Sequence, residues 1–348
     1  MSDLSNFNPN SIGLYSNTVF GLPFTEETAS VVLLPVPWEV TVSYRTGTAM
    51  APMNIFESSL QVDLFDAELT DVWKKGIYMQ EANDKIMDLN DDLREKAEEL
   101  LDVMANGENV HEHKHYVKSI VEINAGCAYL CDWVYESAAK LLENGKKVGL
   151  VGGDHSTPYG LVQALADHHK DFGILQIDAH ADLREAYEGF TFSHASIMYN
   201  ILKNIPEVKK LVQVGIRDYC DEELQLINDS NGRIKTFFDA DIKAMMYEGT
   251  TWGSICRQIV DELPQNLYIS FDIDGLDVRF CPNTGTPVPG GFDVDQIFYL
   301  FRTLHKSGKK IIGFDLNEVS CGDQGDTIDT ITGARVLYKL CCYLAMQG

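Results

Sequence analysis

Gln176-Ile177-Asp178-Ala179-His180-Ala181-Asp182 closes a hydrophobic run that begins at Phe172. Three side chains able to bind a metal fall at alternate positions where an apolar segment ends. Period two is strand spacing, because residues i, i+2 and i+4 of an extended segment project to the same side. If the backbone stays extended past the strand end, Asp178, His180 and Asp182 converge on one point. One imidazole with two carboxylates suits a divalent metal, but a polar loop after a buried strand has the same composition, so the reading needs further ligands.

Two other stretches have the same grammar. Lys147 to Val151 is a short apolar strand candidate ending in Gly152-Gly153-Asp154-His155-Ser156, and Leu267 to Phe271 is another ending in Asp272-Ile273-Asp274-Gly275-Leu276-Asp277. In open α/β sheets, sites form beyond the carboxyl ends of the strands. Three adjacent parallel strands would bring His155, Asp178, His180, Asp182, Asp272 and Asp274 together. Four carboxylates and two imidazoles exceed the needs of one ion. With carboxylates able to bridge, they describe a two-metal cluster with ions about 3.5–4 Å apart.

Strands and helices alternate on both sides of these motifs. Strand candidates are 31–36, 147–151, 172–177, 211–216, 234–238, 267–271 and 310–314, with helical stretches near 157–169, 194–204, 221–228, 240–262, 293–306 and 329–346. Apolar residues at helical spacing from Ile120 to Leu141 predict a long helix over 116–143, ended by Asn144-Gly145. This alternation predicts one three-layer α/β/α domain over residues 31–348, with a mainly parallel sheet and the metal site at the C-terminal ends of its strands. Residues 1–30 read as an irregular N-terminal arm. The loop 37–47 is too long to be only a turn, and such loops often carry function. Residues 61–115 are the least informative, and His111-Glu112-His113-Lys114-His115 reads as a solvated loop because nothing complements it.

Of the 348 residues, 45% are hydrophobic, ample for a core. A formal charge of −24 argues against nucleic acid, whose binding is driven by Lys and Arg. The same balance serves solubility, or a field that favours cationic substrates and metal ions. The N-terminus has neither a basic nor an apolar stretch, and no window approaches 18 uninterrupted apolar residues, so a cytoplasmic protein without a membrane segment is expected. Eight scattered cysteines lack paired CxxC spacing, which argues against a disulfide framework and against a thiolate zinc site.

Taken together the motifs resemble the ureohydrolases, meaning arginases, agmatinases and their relatives. Gly-Gly-Asp-His-Ser at 152–156, Asp-Ala-His-Ala-Asp at 178–182 and Ser-Phe-Asp-Ile-Asp-Gly-Leu-Asp at 270–277 match the family's three metal signatures in order and spacing. Ser43 to Thr48, Thr284 to Gly291 and Glu318 extend the likeness over roughly 31–346. The resemblance implies two Mn²⁺ ions per chain, Ni²⁺ being an alternative. One ion would take His155, Asp178, Asp182 and Asp272, the other Asp178, His180, Asp272 and Asp274, with Asp178 and Asp272 bridging. Oxygen-rich ligation likewise favours Mn²⁺ over zinc.

A guanidinium carbon is a poor electrophile and neutral water a poor nucleophile. Water on a divalent ion can have its pKa lowered from about 15.7 toward 7, so a metal-bridging hydroxide would attack the carbon while Asp182 holds it. By resemblance His194, in Phe192-Ser193-His194-Ala195-Ser196, is the proton shuttle to the leaving amine, and Glu318 is the carboxylate that orients the guanidinium. A carboxylate can accept two parallel N–H bonds from that planar group. Ser320-Cys321 and Asp277-Val278 replace proline-containing dipeptides usual in the family, a departure that touches loop rigidity and leaves the ligands intact.

The substrate's tail is the harder part. Arginases usually carry Asn two residues after the last Asp of the second motif, and this chain has Leu183-Arg184, which disfavours arginine. The 183–196 stretch looks most like the agmatinase branch, so agmatine, cleaved to putrescine and urea in polyamine biosynthesis, is the expected substrate. Glu185 or Glu188 would attract its distal amine. Arg184 is an awkward neighbour for a cation and keeps open guanidinobutyrate and formiminoglutamate; free guanidine and aminopropylagmatine also stay open. A non-catalytic metal-binding paralogue is the reading of another class, and the presence of both His194 and Glu318 weighs against it. The resemblance further implies a homo-oligomer, a trimer or hexamer.

Overall fold

The computed structural model describes Leu4, residues 7–10, residues 18–322 and residues 327–347. Eight strands form one sheet: β1 (Val31–Val36), β2 (Ile77–Met79), β3 (Lys147–Gly152), β4 (Phe172–Ile177), β5 (Val208–Ile216), β6 (Ile234–Phe238), β7 (Asn266–Asp272) and β8 (Lys310–Asn317). Their order is β2-β1-β3-β8-β7-β4-β5-β6, and every neighbouring pair is parallel. A parallel sheet needs covering on both faces, which is why its strands are near-continuous apolar runs. β1, Val-Val-Leu-Leu-Pro-Val, is buried at all its positions.

Side chains along β1 divide by period two between two cores. Val31 and Leu33 join a core built with α1 (Ala51–Ser59), α8 (Trp252–Glu262), α9 (Val294–Lys306) and α10 (Ile328–Met346). Val32, Leu34 and Val36 join the opposite core, with α2 (Asp84–Ala105), α3 (Lys114–Glu143), α4 (Tyr159–His168) and α5 (Ile197–Asn204). The remaining helices, α6 (Asp221–Asp229) and α7 (Asp239–Tyr247), give Ile227 to the second core and Ile242 to the first. The result is the expected three-layer α/β/α domain, with all neighbouring strands parallel among the described residues.

Four differences from the sequence reading have physical causes. β2 and α1 went unread because a three-residue strand and a nine-residue helix are too short to establish a period. The single helical stretch expected over 240–262 is two helices, divided where Gly249 turns to φ +97°. The strands carrying the three motifs are not mutually adjacent, since β8 lies between β3 and β7. Within the arm, a 3-10 turn at Val19–Gly21 leads Val19, Phe20, Leu22 and Phe24 into the core, while positions 1–3, 5–6 and 11–17 of the arm lie outside the described residues. No helix among the described residues is long and apolar enough to cross a membrane.

The loops after β1 and β3 touch backbone to backbone. Asp154 N donates to Trp38 O at 2.8 Å, and a Cβ on Gly153 would lie 1.8 Å from that carbonyl oxygen. Gly153→Ala is therefore expected to cost about 2–3 kcal/mol, read as a lowered midpoint in urea unfolding. A change below about 0.5 kcal/mol, the scale of an ordinary surface substitution, would mean that the loops are not held at this distance.

Candidate active site

Each ligand-bearing loop leaves the C-terminal end of a strand. β3 delivers His155, β4 delivers Asp178, His180 and Asp182, β7 delivers Asp272 and Asp274, and β8 delivers Glu318. His155 Nδ1 lies 3.0 Å from Asp178 Oδ2, 2.9 Å from Asp182 Oδ2 and 3.3 Å from Asp272 Oδ2. His180 Nδ1 lies 3.0 Å from Asp274 Oδ2 and 3.7 Å from Asp178 Oδ1. Two potential cation sites result, His155 with Asp178 and Asp182, and Asp178 with His180 and Asp274, sharing the Asp178 carboxylate. Asp182 reaches the cluster because its backbone turns to φ +55°, where its carbonyl accepts from Met198 and Tyr199 of α5.

Hydrogen bonds from beneath fix the carboxylates. Asp178 accepts from its own loop through His180 N (2.6 Å) and from Gln176 Nε2 (2.8 Å). Gln176 in turn accepts from Gln213 Nε2 (2.8 Å), and Gln213 accepts from Thr236 Oγ1 (2.7 Å), a chain of amides across β4, β5 and β6. Asp272 Oδ1 accepts from Asp274 N (2.8 Å), and Asp274 Oδ1 accepts from Ala179 N (3.0 Å). His155 Nε2 sits 2.8 Å from Ser270 Oγ, which donates to Asp315 Oδ1 at 3.1 Å. With Nε2–H donating to that hydroxyl, the Nδ1 lone pair faces the carboxylates, the arrangement of metal-binding histidines held from behind by a hydrogen bond.

The residues fit divalent cations on two observations. His155 Nδ1 and Asp274 Oδ2 are buried without a hydrogen-bond partner, though both face the cluster. Charge is also unbalanced. Burial works to lower the pKa values of His155 and His180, yet the surrounding carboxylates raise both well above the ordinary range. Burial and the adjacent Asp178 raise Asp182 to about 7, and burial with Asp274 and Asp178 raises Asp272 strongly. Asp178 goes the other way: against its burial, the adjacent His155 and His180 imidazoles lower it. Protons are being held where a metal would neutralise the carboxylates.

A cavity of about 410 Å³ opens on this cluster, lined by His180, Asp182 and His194 together with Arg184, Tyr187, Asp218, Tyr219, Glu223, residues 43–45 and residues 286–288. Tyr44, 69% exposed, and Tyr219, 39% exposed, mark its mouth. His194 begins a 3-10 turn capped by Ser193, donates its backbone N–H to Thr41 Oγ1 at 3.3 Å, and leaves Nδ1 unpartnered. Burial beside the His180 and His155 imidazoles pushes its pKa down to about 3, so it rests neutral. Glu318 also adopts a left-handed backbone, φ +62°, and is 4% exposed. Its Oε1 accepts from His155 N at 2.8 Å, and a Cβ on Gly285 would come within 3.1 Å of its Oε2.

A sequence profile describing the arginase family matches residues 29–342. The chain belongs to the arginase family. It is 30% identical over 319 residues to the N(1)-aminopropylagmatine ureohydrolase of Synechocystis sp., covering 90% of this chain and 89% of that protein. Its identity to the N(1)-aminopropylagmatine ureohydrolase of Thermus thermophilus is 31% over 321 residues, 92% of each chain. The crystal structure of agmatine ureohydrolase from Thermoplasma volcanium superposes with a TM-score of 0.70 at 23% identity, over 95% of each chain. The protein is thus an arginase-family ureohydrolase, a hydrolase of guanidino groups, with the arginase-like fold.

Within this arginase-family site the tail candidates separate. Arg184 is on the cavity wall with its guanidinium 5.0 Å over the Tyr187 ring. Glu185 is exposed, pairs with Lys203 at 3.1 Å and does not line the cavity. Glu188 is off the wall too, half-buried with Oε2 unpartnered. The acidic groups that do line it, Asp218 and Glu223, were not singled out from sequence. For Asp218 a signal was available, because β5, an apolar strand, is followed at once by Arg217-Asp218-Tyr219 like the other motifs. Arg217 braces the opposite wall by donating to Val288 O and Asp274 O.

Asp182, at about 7, and Asp315, raised by burial to about 6, keep protons that unfolded aspartates lose near 3.8. Between these values the metal-free fold binds more protons than the unfolded chain, so by linkage its stability falls as pH rises through that window. His155 and His180, raised above 6.5, continue the fall at higher pH. Metal displaces those protons, so its binding strengthens with pH. The Tm of chelator-treated protein is expected to drop between about pH 5 and pH 8, and added Mn²⁺ to raise Tm more at the upper end. A level metal-free profile would contradict this charge balance.

Proposed function

We infer that the protein hydrolyses the guanidino group of a linear, cationic guanidinoalkylamine to urea and an amine, with N(1)-aminopropylagmatine preferred and agmatine the shorter alternative. The observation that carries the reading is a single cavity whose walls hold His180 and Asp182 of the metal-ligand cluster, the imidazole of His194 and the carboxylates of Asp218 and Glu223. Carboxylates beside a reaction centre favour a substrate with ammonium groups in its tail. Relatives at 30% and 31% identity named for aminopropylagmatine support the longer tail over agmatine, the first expectation from residues 183–196. Arg184, stacked on Tyr187, and Arg45 are the wall residues that would suit a carboxylate-bearing tail.

His155, Asp178, His180, Asp182, Asp272 and Asp274 would hold two Mn²⁺ ions, with Ni²⁺ the alternative, which supply an acidified water and a Lewis acid at neutral pH. The protein's own groups do the rest. Glu318 accepts N–H bonds from the planar guanidinium and holds its carbon toward the cluster. Asp182 accepts a hydrogen bond from the attacking oxygen. His194, neutral at rest and free at Nδ1, takes up a proton at the cluster and returns it to the leaving nitrogen, so that the tetrahedral carbon collapses to urea rather than back to substrate.

A urea-release panel on metal-loaded protein tests the substrate. N(1)-aminopropylagmatine should give the highest kcat/KM, agmatine the next, and arginine and 4-guanidinobutyrate little, because substrates sharing a reactive end are told apart by tail contacts. A carboxylate-bearing winner would assign the tail to Arg184, and free guanidine winning with Ni²⁺ would reject tail recognition altogether. His194→Ala should lower kcat by about 10²–10⁴-fold with the metal content kept. Glu318→Gln should depress binding and turnover together; an unchanged KM would move Glu318 out of the guanidinium contact.

A further inference from the structure

Asn90 and Arg94, one turn apart on α2, both face the loop after β1. Glu39 N donates to Asn90 Oδ1 at 2.7 Å. Arg94 Nη1 donates to Glu39 O at 3.4 Å, to Val40 O at 3.2 Å and to Val42 O, while its Nε pairs with Glu98 at 3.0 Å. Only 12% of the Arg94 side chain is exposed, so its charge is shared among carbonyl dipoles rather than left to water. The held loop continues into the cavity. Thr41 Oγ1 accepts from His194 N and donates to Asp154 Oδ2, and Ser43, Tyr44 and Arg45 line the wall. The neighbouring helix α3 holds the opposing loop: Asn124 Nδ2 donates to Gly189 O at 2.9 Å and its Oδ1 accepts from Thr191 N at 2.7 Å.

We propose that Arg94, assisted by Asn90 and Asn124, is a specificity-positioning residue that sets the separation of two of the loops that line the cavity. None of the three contacts the metal ligands; they act through backbone groups of segments 39–42 and 189–191. One buried guanidinium satisfying three carbonyls fixes a segment that has neither helix nor strand of its own, and charge-assisted hydrogen bonds are the stronger kind. The metal ligands stand on loops leaving the strand ends, and the clamped segment reaches the site through Thr41, at the His194 backbone N–H and at Asp154. Loss of the clamp therefore changes how the substrate tail is held, not whether the cluster forms. This rests on the ureohydrolase reading of the cavity.

Two readouts separate the clamp from that reading. Hydrogen–deuterium exchange of the Mn²⁺-loaded full chain is compared for the unaltered protein, Arg94→Gln and Arg94→Lys. The Gln variant should exchange about tenfold faster over residues 39–46 and no faster over 172–180 and 266–274. In the urea assay its KM for N(1)-aminopropylagmatine should rise at least about tenfold, with kcat within about threefold and metal content unchanged, and the Lys variant should recover part of the loss. Asn124→Ala, which keeps α2 intact, should give the same split with faster exchange over 188–192. Faster exchange without urea release from any guanidino compound would uphold the clamp and remove the substrate reading. Unaltered loop exchange, or a fall in kcat and metal content at constant KM, would overturn the clamp.

Discussion

Like charges crowd at the C-terminal edge of the sheet. Asp178, Asp182, Asp272 and Asp274 carry four carboxylates into a buried volume shared with two imidazoles. Among the described residues no lysine or arginine pairs with any of them. Two such charges 4 Å apart repel by about 4 kcal/mol even at an effective dielectric of 20, so the set is tolerable only when protons or cations share it. Two divalent ions would bring four positive charges against four negative ones, while protonation satisfies the repulsion by removing the ligands. Metal and proton thus compete for the same oxygens, and the rest of the site can be read as scaffolding that keeps the oxygens close despite their repulsion.

That scaffolding is mostly uncharged. The Gln176, Gln213 and Thr236 chain and the Ser270 hydroxyl orient the cluster from below with groups that do not titrate near neutrality. Amide and hydroxyl donors fix direction without adding charge to a volume already crowded with it. Strain is spent where direction alone is insufficient: Asp182 and Glu318 both sit in the left-handed backbone region, which non-glycine residues rarely adopt. Each is the residue at which a chain leaving the sheet is bent back over the site.

What the sequence revealed follows from what leaves a periodic trace. Buried parallel strands are unbroken apolar runs, so seven of the eight were readable, and ligands at i, i+2 and i+4 announce themselves at the end of β4. β2 spans only Ile77–Met79 and has no trace to leave. Contacts between segments distant in sequence were equally silent. Residues 61–115 looked uninformative because Arg94 is, on its own helix, one more cation paired with Glu98 four residues on; its donors to Glu39, Val40 and Val42 exist only once α2 is docked. Glu223 escaped for the same reason, since the cavity that gives it meaning is assembled from several loops, whereas Asp218 follows an apolar strand as the other motifs do.

The position of β8 has a bearing on how the molecule is made. Late in sequence yet central in the sheet, it alone joins β2-β1-β3 to β7-β4-β5-β6. As the chain emerges during synthesis, those two pieces have no hydrogen-bonded register to each other, and each presents an apolar inner edge at β3 and β7. Unprotected edges of that kind recruit other strands, and closing them requires pairing across a long stretch of sequence, which is slow. Glu318 follows β8 directly, so its buried carboxylate arrives with the strand that seals the sheet. A nascent chain halted before that strand carries His155 on one fragment and Asp178 with Asp272 on the other.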